Sequence, residues 1–290
     1  MTFGKKLSRF AGRTFTRLFL CLLCLSVLYP LFWNLISSFR TSAEFFNNPW
    51  GMPKELFQDG KISTIFSNYI RVWNITGLSV PFMNSMIISL TSLFGGIVLN
   101  CMSAYGCTRL GLRAGDMLSK FYLFMMFVPG GIALTAGFLN YRSLGLLNTR
   151  WALILGNVSA SAVGTGYILR NFFRTLPHEL EEAAYIDGSG IQRTFWTIML
   201  PLAKPGIATV SIFNFLRYWS EYTHASIIIT DEAKTPLSVA LYTLQSSTQR
   251  MADWTGLFAG MIIVLIPILL LYLMFQKYIV SGMTAGAIKG

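Results

Sequence analysis

The chain has 290 residues, of which 53% are hydrophobic and only 12% charged, with a formal net charge of +11. A soluble domain carries about 25% charged residues, so one integral-membrane domain is the expectation. The sequence pI is about 9.7, but the basic residues flank apolar runs instead of forming one stripe. That sets nucleic acid aside and points to anchoring at an anionic membrane face.

Residues 1–17 carry Lys5, Arg9, Arg13 and Arg17 at i, i+4 spacing, with Lys6, Phe10 and Phe15 among them. This is the pattern of an amphipathic segment lying on the anionic inner leaflet. A hydrocarbon core of about 30 Å takes about 20 apolar residues in a helix, and six stretches qualify: 18–39, 81–108, 121–141, 151–169, 206–230 and 254–276. The first is longer than a signal-peptide core of about 7–15 residues and no A-x-A-like site follows it, so a retained helix is expected. The runs are continuous instead of alternating, which argues against a barrel. The expected fold is therefore an all-α polytopic membrane protein with six transmembrane helices, residues 18–290 forming the membrane domain.

Lysine and arginine set the orientation. With the N-terminus inside, fourteen of the 23 basic residues fall on the inner side and eight on the outer side, while Arg217 lies within the membrane. Both termini are then cytoplasmic, as is the segment 171–205. Cys21 and Cys24 form a CxxC inside an apolar run, and Cys101 and Cys107 lie in another; with only His178 and His224 in the chain, a zinc site lacks partners and the cysteines read as small packing residues. Gly256–Gly260 is a GxxxG, a cue for close helix packing.

The 35-residue segment 171–205 opens its helical part with Glu179, Glu181 and Glu182. Pro177 is expected in the first turn of a helix, whose positive end favours those carboxylates. Leu180, Ala183 and Ala184 fall on one small-residue face. Gly188 supplies the turn, and Ser189 with Gln192 matches a capping box for a second helix. Ile191, Phe195, Trp196 and Met199 make its apolar side, and Pro201 and Pro205 end it and redirect the chain into the fifth span. A plain connection takes about 2–8 residues, so an interaction role is favoured.

EAAYIDGSG followed by LPLAKPG resembles the EAA signature of ABC importer permeases, E-A-A-x-x-x-G with a later proline. YILRNFFRTLPHELEEAAYIDG, NPWGMPK, MNSMIIS and the terminal QKYIVSGMTAGAIKG resemble the carbohydrate-uptake branch, specifically the maltose-type second permease, over nearly the whole chain. Ser189 stands where alanine is common after the turn glycine. The resemblance implies the ABC type I importer transmembrane fold and a membrane-spanning subunit of an ATP-driven carbohydrate importer, forming half of the translocation path in a bacterial cell membrane. Its implied partners are an ABC ATPase dimer, a second homologous permease, an extracytoplasmic substrate-binding protein and membrane lipid. Glu182, Ala183, Ala184, Asp187, Gly188 and Pro201 are then the ATPase-coupling residues, and the tail after Lys277 also reaches the ATPase.

No G-x-x-x-x-G-K-[ST] occurs in the chain, so no cofactor is expected on it; ATP and Mg are used by the partner subunit. In the fifth span, Arg217 and Glu221 are four apart and share a helix face. Two readings stand equally for them: an internal ion pair that orients helices, or part of a translocation path in which Trp219 or Tyr222 stacks on a sugar ring and Glu221 accepts hydroxyl donors. The alternatives are an ABC permease for a non-sugar solute, an ATP-independent secondary transporter, for which no clear inverted repeat is visible, and an intramembrane enzyme, which lacks HExxH or a paired histidine.

Overall fold

The computed structural model describes residues 3–58, 60–110, 114–128, 130–251 and 253–287, with the side chains of 3–11, 114, 130, 249–251 and 277–287 outside that description. The expected surface pattern of Lys5, Lys6 and Arg9 and the expected contact of the tail after Lys277 lie outside the described residues. Every regular element among the described residues is helical.

The helices are α1 (Phe3–Ser38), α2 (Ser42–Asn47), α3 (Ile62–Ile65), α4 (Ser67–Ile70), α5 (Ser79–Arg109), α6 (Ala114–Met125), α7 (Gly130–Ser143) and α8 (Arg150–Val163). There follow α9 (Thr165–Thr175), α10 (Glu179–Ile186), α11 (Ile191–Thr194), α12 (Leu200–Leu202), α13 (Lys204–Trp219), α14 (Thr223–Ile228), α15 (Leu237–Met251) and α16 (Trp254–Ala287).

Three stretches are long and apolar enough to cross a membrane as single helices: Gly12–Ser38, Ser79–Arg109 and Trp254–Gln276. Two bent pairs bring the number to five, α8 with α9 at 46° and Ile191–Leu202 with α13 at 73°. The remaining expected span, 121–141, is shared between α6, which ends at Met125, and α7, which begins at Gly130; the sequence V-P-G-G at 128–131 disfavours helix continuation. The basic segment 1–17 is not set off from the first span, since α1 runs through both without a break. Cys21 and Cys24, expected as packing residues, are exposed on it.

Two compact units emerge, residues 1–77 with 243–265 and residues 78–242 with 266–290. In the first, Arg40 is buried and gathers the loop after α1: Nη1 donates to the Pro49 carbonyl at 2.9 Å, and Nη2 donates to the carbonyls of Glu44 at 2.6 Å and of Asn48. Thr41 and Glu44 form a reciprocal capping box at the start of α2. Arg71 grips Asp253 with both nitrogens, at 2.7 and 2.9 Å, and Asp253 Oδ1 also accepts from the Gly256 N–H at 3.1 Å at the start of α16. Residues 255–260, including the GxxxG, are buried in this unit, as close packing requires.

Glu44 Oε1 accepts from the N–H groups of Lys54 and Glu55 at 2.7 and 2.9 Å. Burial pushes this carboxyl up, but the N–H donors of Glu55, Thr41 and Lys54 and the Arg40 guanidinium outweigh it and hold it below its usual value. A depressed carboxyl stabilises the fold above its unfolded value, and that contribution is lost as pH falls through its folded value. Hydrogen exchange at the Lys54 and Glu55 amides is therefore expected to keep its protection through the ordinary glutamate range and to lose it only as pH falls below that range, and to lack it at every pH in Glu44→Ala; protection that survives Glu44→Ala would contradict this tie.

The second unit is organised by α5, whose buried side holds Asn84, Ser85, Ser89, Ser92, Gly96 and Asn100. Small and polar residues at i, i+3 and i+4 spacing let backbones approach and supply interhelical bonds where lipid offers none. Asn100 Nδ2 donates to Ser161 Oγ at 2.8 Å, linking α5 to α8. Asn84 Nδ2 donates to the carbonyls of Ala233 and Thr235, both at 3.0 Å, while its Oδ1 accepts from Arg150 Nε at 2.9 Å. At the other end, Cys101, Ala104 and Tyr105 of α5 join Leu169, Phe173, Phe195, Met199, Ala203 and Val210 in one apolar cluster. That cluster is the seat of the segment described next.

Candidate functional site: the joint between α9 and α13

Leu176 is extended, as a residue before proline must be, and ends α9. Pro177 therefore lies outside α10, not in its first turn as its position suggests; His178 is the N-cap. Glu179, Glu181 and Glu182 fill the first turn and lie at the positive end of the helix dipole.

The other end of α10 is closed at Gly188, whose φ is +77°. The Ser189 N–H reaches back to the Ala184 carbonyl at 2.8 Å and the Gly188 N–H to Tyr185 at 3.1 Å. This double closure needs a left-handed residue between helix and loop, and glycine takes that conformation without a Cβ penalty. The expected capping box at Ser189 and Gln192 does not form. The N-cap of α11 is Gly190, which makes no side-chain cap, because closing the Gly188 turn consumes Ser189 and leaves Gly190 as the extended entry residue. Ser189 Oγ instead accepts from Thr194 Oγ1 at 3.1 Å.

The faces also differ from the periodic reading. Glu181 and Ala184 turn inward, while Leu180 and Ala183 are exposed. Beyond α11 the chain widens into a π-helical turn, Phe195–Met199, which shifts the side-chain period. Phe195 and Met199 are buried, whereas Ile191 and Trp196, expected on the same apolar side, are about half exposed. Pro201 and Pro205 each sit in the first two positions of a helix, α12 and α13, on either side of Ala203, where the chain bends. Gly206 allows α13 to pass close to α9: a Cβ there would lie 2.7 Å from the Phe172 ring.

Glu182, Ala183, Asp187 and Gly188 are exposed around the turn, with Ile186 87% exposed beside them, while Ala184 is buried beneath. The joint is thus a small acidic and apolar knob on a rigid seat. Two residues of that seat are not singled out by the sequence. Arg109, the last residue of α5, donates from Nε and Nη2 to the Phe173 carbonyl at 3.0 and 2.7 Å, and from Nη2 to the Leu176 carbonyl. Its Nη1 lies 3.4 Å from Glu181 Oε2, with side-chain exposures of 1% and 7%. The available signal is that Glu181 shares a face with Ala184 at i, i+3; a helix-dipole role alone would leave it facing solvent.

The second group of candidates is dispersed. Helix α13 ends at Trp219, so Arg217 and Glu221 do not share a helix face, and no ion pair joins them among the described residues. Glu221 Oε1 accepts from the His224 N–H at 2.8 Å at the start of α14. Arg217 is exposed. Trp219 is 2% exposed, stacked on Phe215 at 5.5 Å and edge-on to Phe82 at 5.6 Å. Tyr222 is partly exposed and sits 5.0 Å from the Tyr242 ring. Among the described residues no group of three or more His, Cys, Asp or Glu is placed to hold a metal.

Apolar helices thus carry a doubly closed, exposed turn seated between two broken spans. The family model described as binding-protein-dependent transport system inner membrane component matches residues 60–285. The chain belongs to this family. It is similar to a diacetylchitobiose uptake system permease of Streptomyces coelicolor, 33% identical over 91% of this chain and 84% of that one. A trehalose transport system permease of Mycobacterium tuberculosis is 32% identical over 82% of this chain and 88% of its own length. A maltodextrin transport system permease of Streptococcus pneumoniae is 28% identical over 98% of both. Among solved structures, a bacterial ABC transporter involved in the import of the acidic polysaccharide alginate matches in fold, with a TM-score of 0.78 and 23% identity over 93% of this chain and 96% of that one.

Proposed function

We propose that this chain is a membrane-spanning subunit of an ATP-driven importer of oligosaccharides, and that the knob around Gly188 is where it receives work from a separate ATPase. The observation that carries this reading is the exposure of Glu182, Ala183, Ile186 and Asp187 on a doubly closed turn that is seated on the α5, α9 and α13 cluster. An exposed apolar residue rimmed by carboxylates is a docking surface, and a seat built from three helices passes displacement on. The names of the relatives, which take up chitobiose-type, trehalose and maltodextrin sugars, support carbohydrate as the cargo.

In this reading the ATPase is a dimer that uses ATP and Mg, a second homologous permease completes the path, and an extracytoplasmic binding protein delivers the sugar. The chain itself contributes no catalytic residue. Both termini and the joint face the cytoplasm, in keeping with the distribution of lysine and arginine. Transmission requires that the ATPase hold the knob differently in its nucleotide-bound and nucleotide-free states, since equal binding to both shifts nothing. Arg217, Glu221 and Tyr222 remain the candidates for the path, and Trp219 supports the wall behind them.

A cysteine at Ala183, with the native cysteines replaced, is expected to cross-link to a co-purifying ATPase, and the yield is expected to change on adding ATP. Uptake assays with labelled mono- and oligosaccharides are expected to select an oligosaccharide. Absence of any cross-linked ATPase, or exclusive transport of a non-sugar solute, would count against the proposal.

A further inference from the structure

The two arms of the joint are held by different physics. The downstream arm, Phe195–Met199, is packed by apolar contact with Tyr105, Phe173 and their neighbours, which is non-directional. The upstream arm, α10, is held by the buried Ala184 and by Glu181, whose Oε2 lies 3.4 Å from Arg109 Nη1 and 3.7 Å from His178 Nδ1. Arg109 also donates to the Phe173 carbonyl, which accepts from the Leu176 N–H at 3.3 Å as well, and to the Leu176 carbonyl just past the end of α9. One buried guanidinium thus ties the end of α5, the end of α9 and the start of α10. Another ion pair in the region, Arg174 with Asp116, has side chains 45% and 87% exposed and contributes little.

The tie is not fully closed. A charge-assisted bond between these groups is about 2.7–2.9 Å long, whereas Nη1 and Oε2 are 3.4 Å apart. Among the described residues Arg109 Nη1 and Glu181 Oε1 are buried without a well-formed hydrogen bond, and the Tyr105 hydroxyl lies beside Glu181 and Tyr185. A displacement of α10 by under about 1 Å brings Nη1 to a normal bond length. Such a shift would pair the buried Nη1 with Oε2, so a second, tighter position is open to this contact.

We propose that Arg109 is the positioning residue of the joint: it pins α10 to the ends of α5 and α9, and its contact with Glu181 tightens when the knob is pressed, so that displacement is delivered to those two helices. The transmission part of this inference rests on the docking role proposed above; the pin itself does not. Lysine cannot replace arginine here, because an ammonium is a point charge without the planar fork that reaches two carbonyls and a carboxylate together.

Double electron–electron resonance on the full chain in lipid nanodiscs tests the pin. Nitroxides are placed at Ile186→Cys and Asn171→Cys, both exposed positions, in a background lacking the native cysteines. The distance distribution is expected to be narrow with Arg109 and at least twofold broader in Arg109→Gln, Arg109→Lys and Glu181→Gln. Unchanged widths in these variants, at normal protein levels, would overturn the pin. In the assembled transporter, uptake per ATP hydrolysed is expected to fall at least tenfold in Arg109→Lys while the ATPase still co-purifies. Broader distances with unchanged uptake per ATP would overturn its part in transmission. If no ATPase co-purifies with the wild-type chain, the docking role is what fails, and the distance widths still decide the pin.

Discussion

Gly188→Pro is expected to reduce uptake by about 100-fold while leaving the amount of protein in the membrane unchanged. Proline fixes φ near −65°, whereas Gly188 sits at +77°. It also removes the N–H that closes on Tyr185 and displaces the Ser189 N–H from Ala184. Backbone strain of about 1–3 kcal/mol and two lost bonds of about 1 kcal/mol each together exceed the ~2.7 kcal/mol that a 100-fold change represents. The loss stays local, since the turn is exposed and the cluster beneath it is formed by other residues. Gly188→Asn, which tolerates the left-handed region, is expected to retain most uptake, and Glu182→Lys to behave like the proline variant by reversing the charge on the knob. Uptake of labelled oligosaccharide beside immunoblots of membrane fractions measures all three. Undiminished uptake in Gly188→Pro would remove the turn from the mechanism.

Trp219→Ala is expected to lower the yield of folded protein steeply, with a stability cost of about 3–5 kcal/mol. The indole is buried between Phe215 and Phe82, and its removal leaves a cavity that α5 and α13 cannot fill together. The protein that does fold is expected to keep its affinity for sugar, because Trp219 is only 2% exposed. Thermal unfolding in detergent, followed with a substrate-binding measurement on the folded fraction, separates the two effects. Normal stability with weakened sugar binding would return Trp219 to the path.

Apolar run length, which needs only composition, locates α1, α5 and α16 well. It locates the remaining spans less well, because breaks depend on backbone choices at single residues: Gly164 between α8 and α9, Ala203 between two prolines, and Ser220 after Trp219. The end of α13 at Trp219 separates Arg217 from Glu221, and i, i+4 spacing has no meaning across a helix end. At the joint, Gly188 is legible because a left-handed closure has a strong residue preference. Ser189 is misleading because two overlapping signals, turn closure and helix start, compete for one residue, and the closure uses its backbone first. The π-helical turn at Phe195–Met199 has no residue signature, so the burial of Phe195 without Trp196 is not readable in advance. Arg109 and Glu181 are 72 positions apart in the chain, and a single sequence offers no means to pair them.

Between Gly12 and Ser38, the most apolar window of α1 has none of its residues buried by the rest of the chain. Partition into lipid alone therefore suffices to place this segment. It can leave the insertion machinery and settle before the helices that follow it exist, serving as a tether while the interrupted segments behind it are still being made. Those later segments, with broken backbones and buried asparagines, are the ones whose residence in the bilayer depends on finding neighbours.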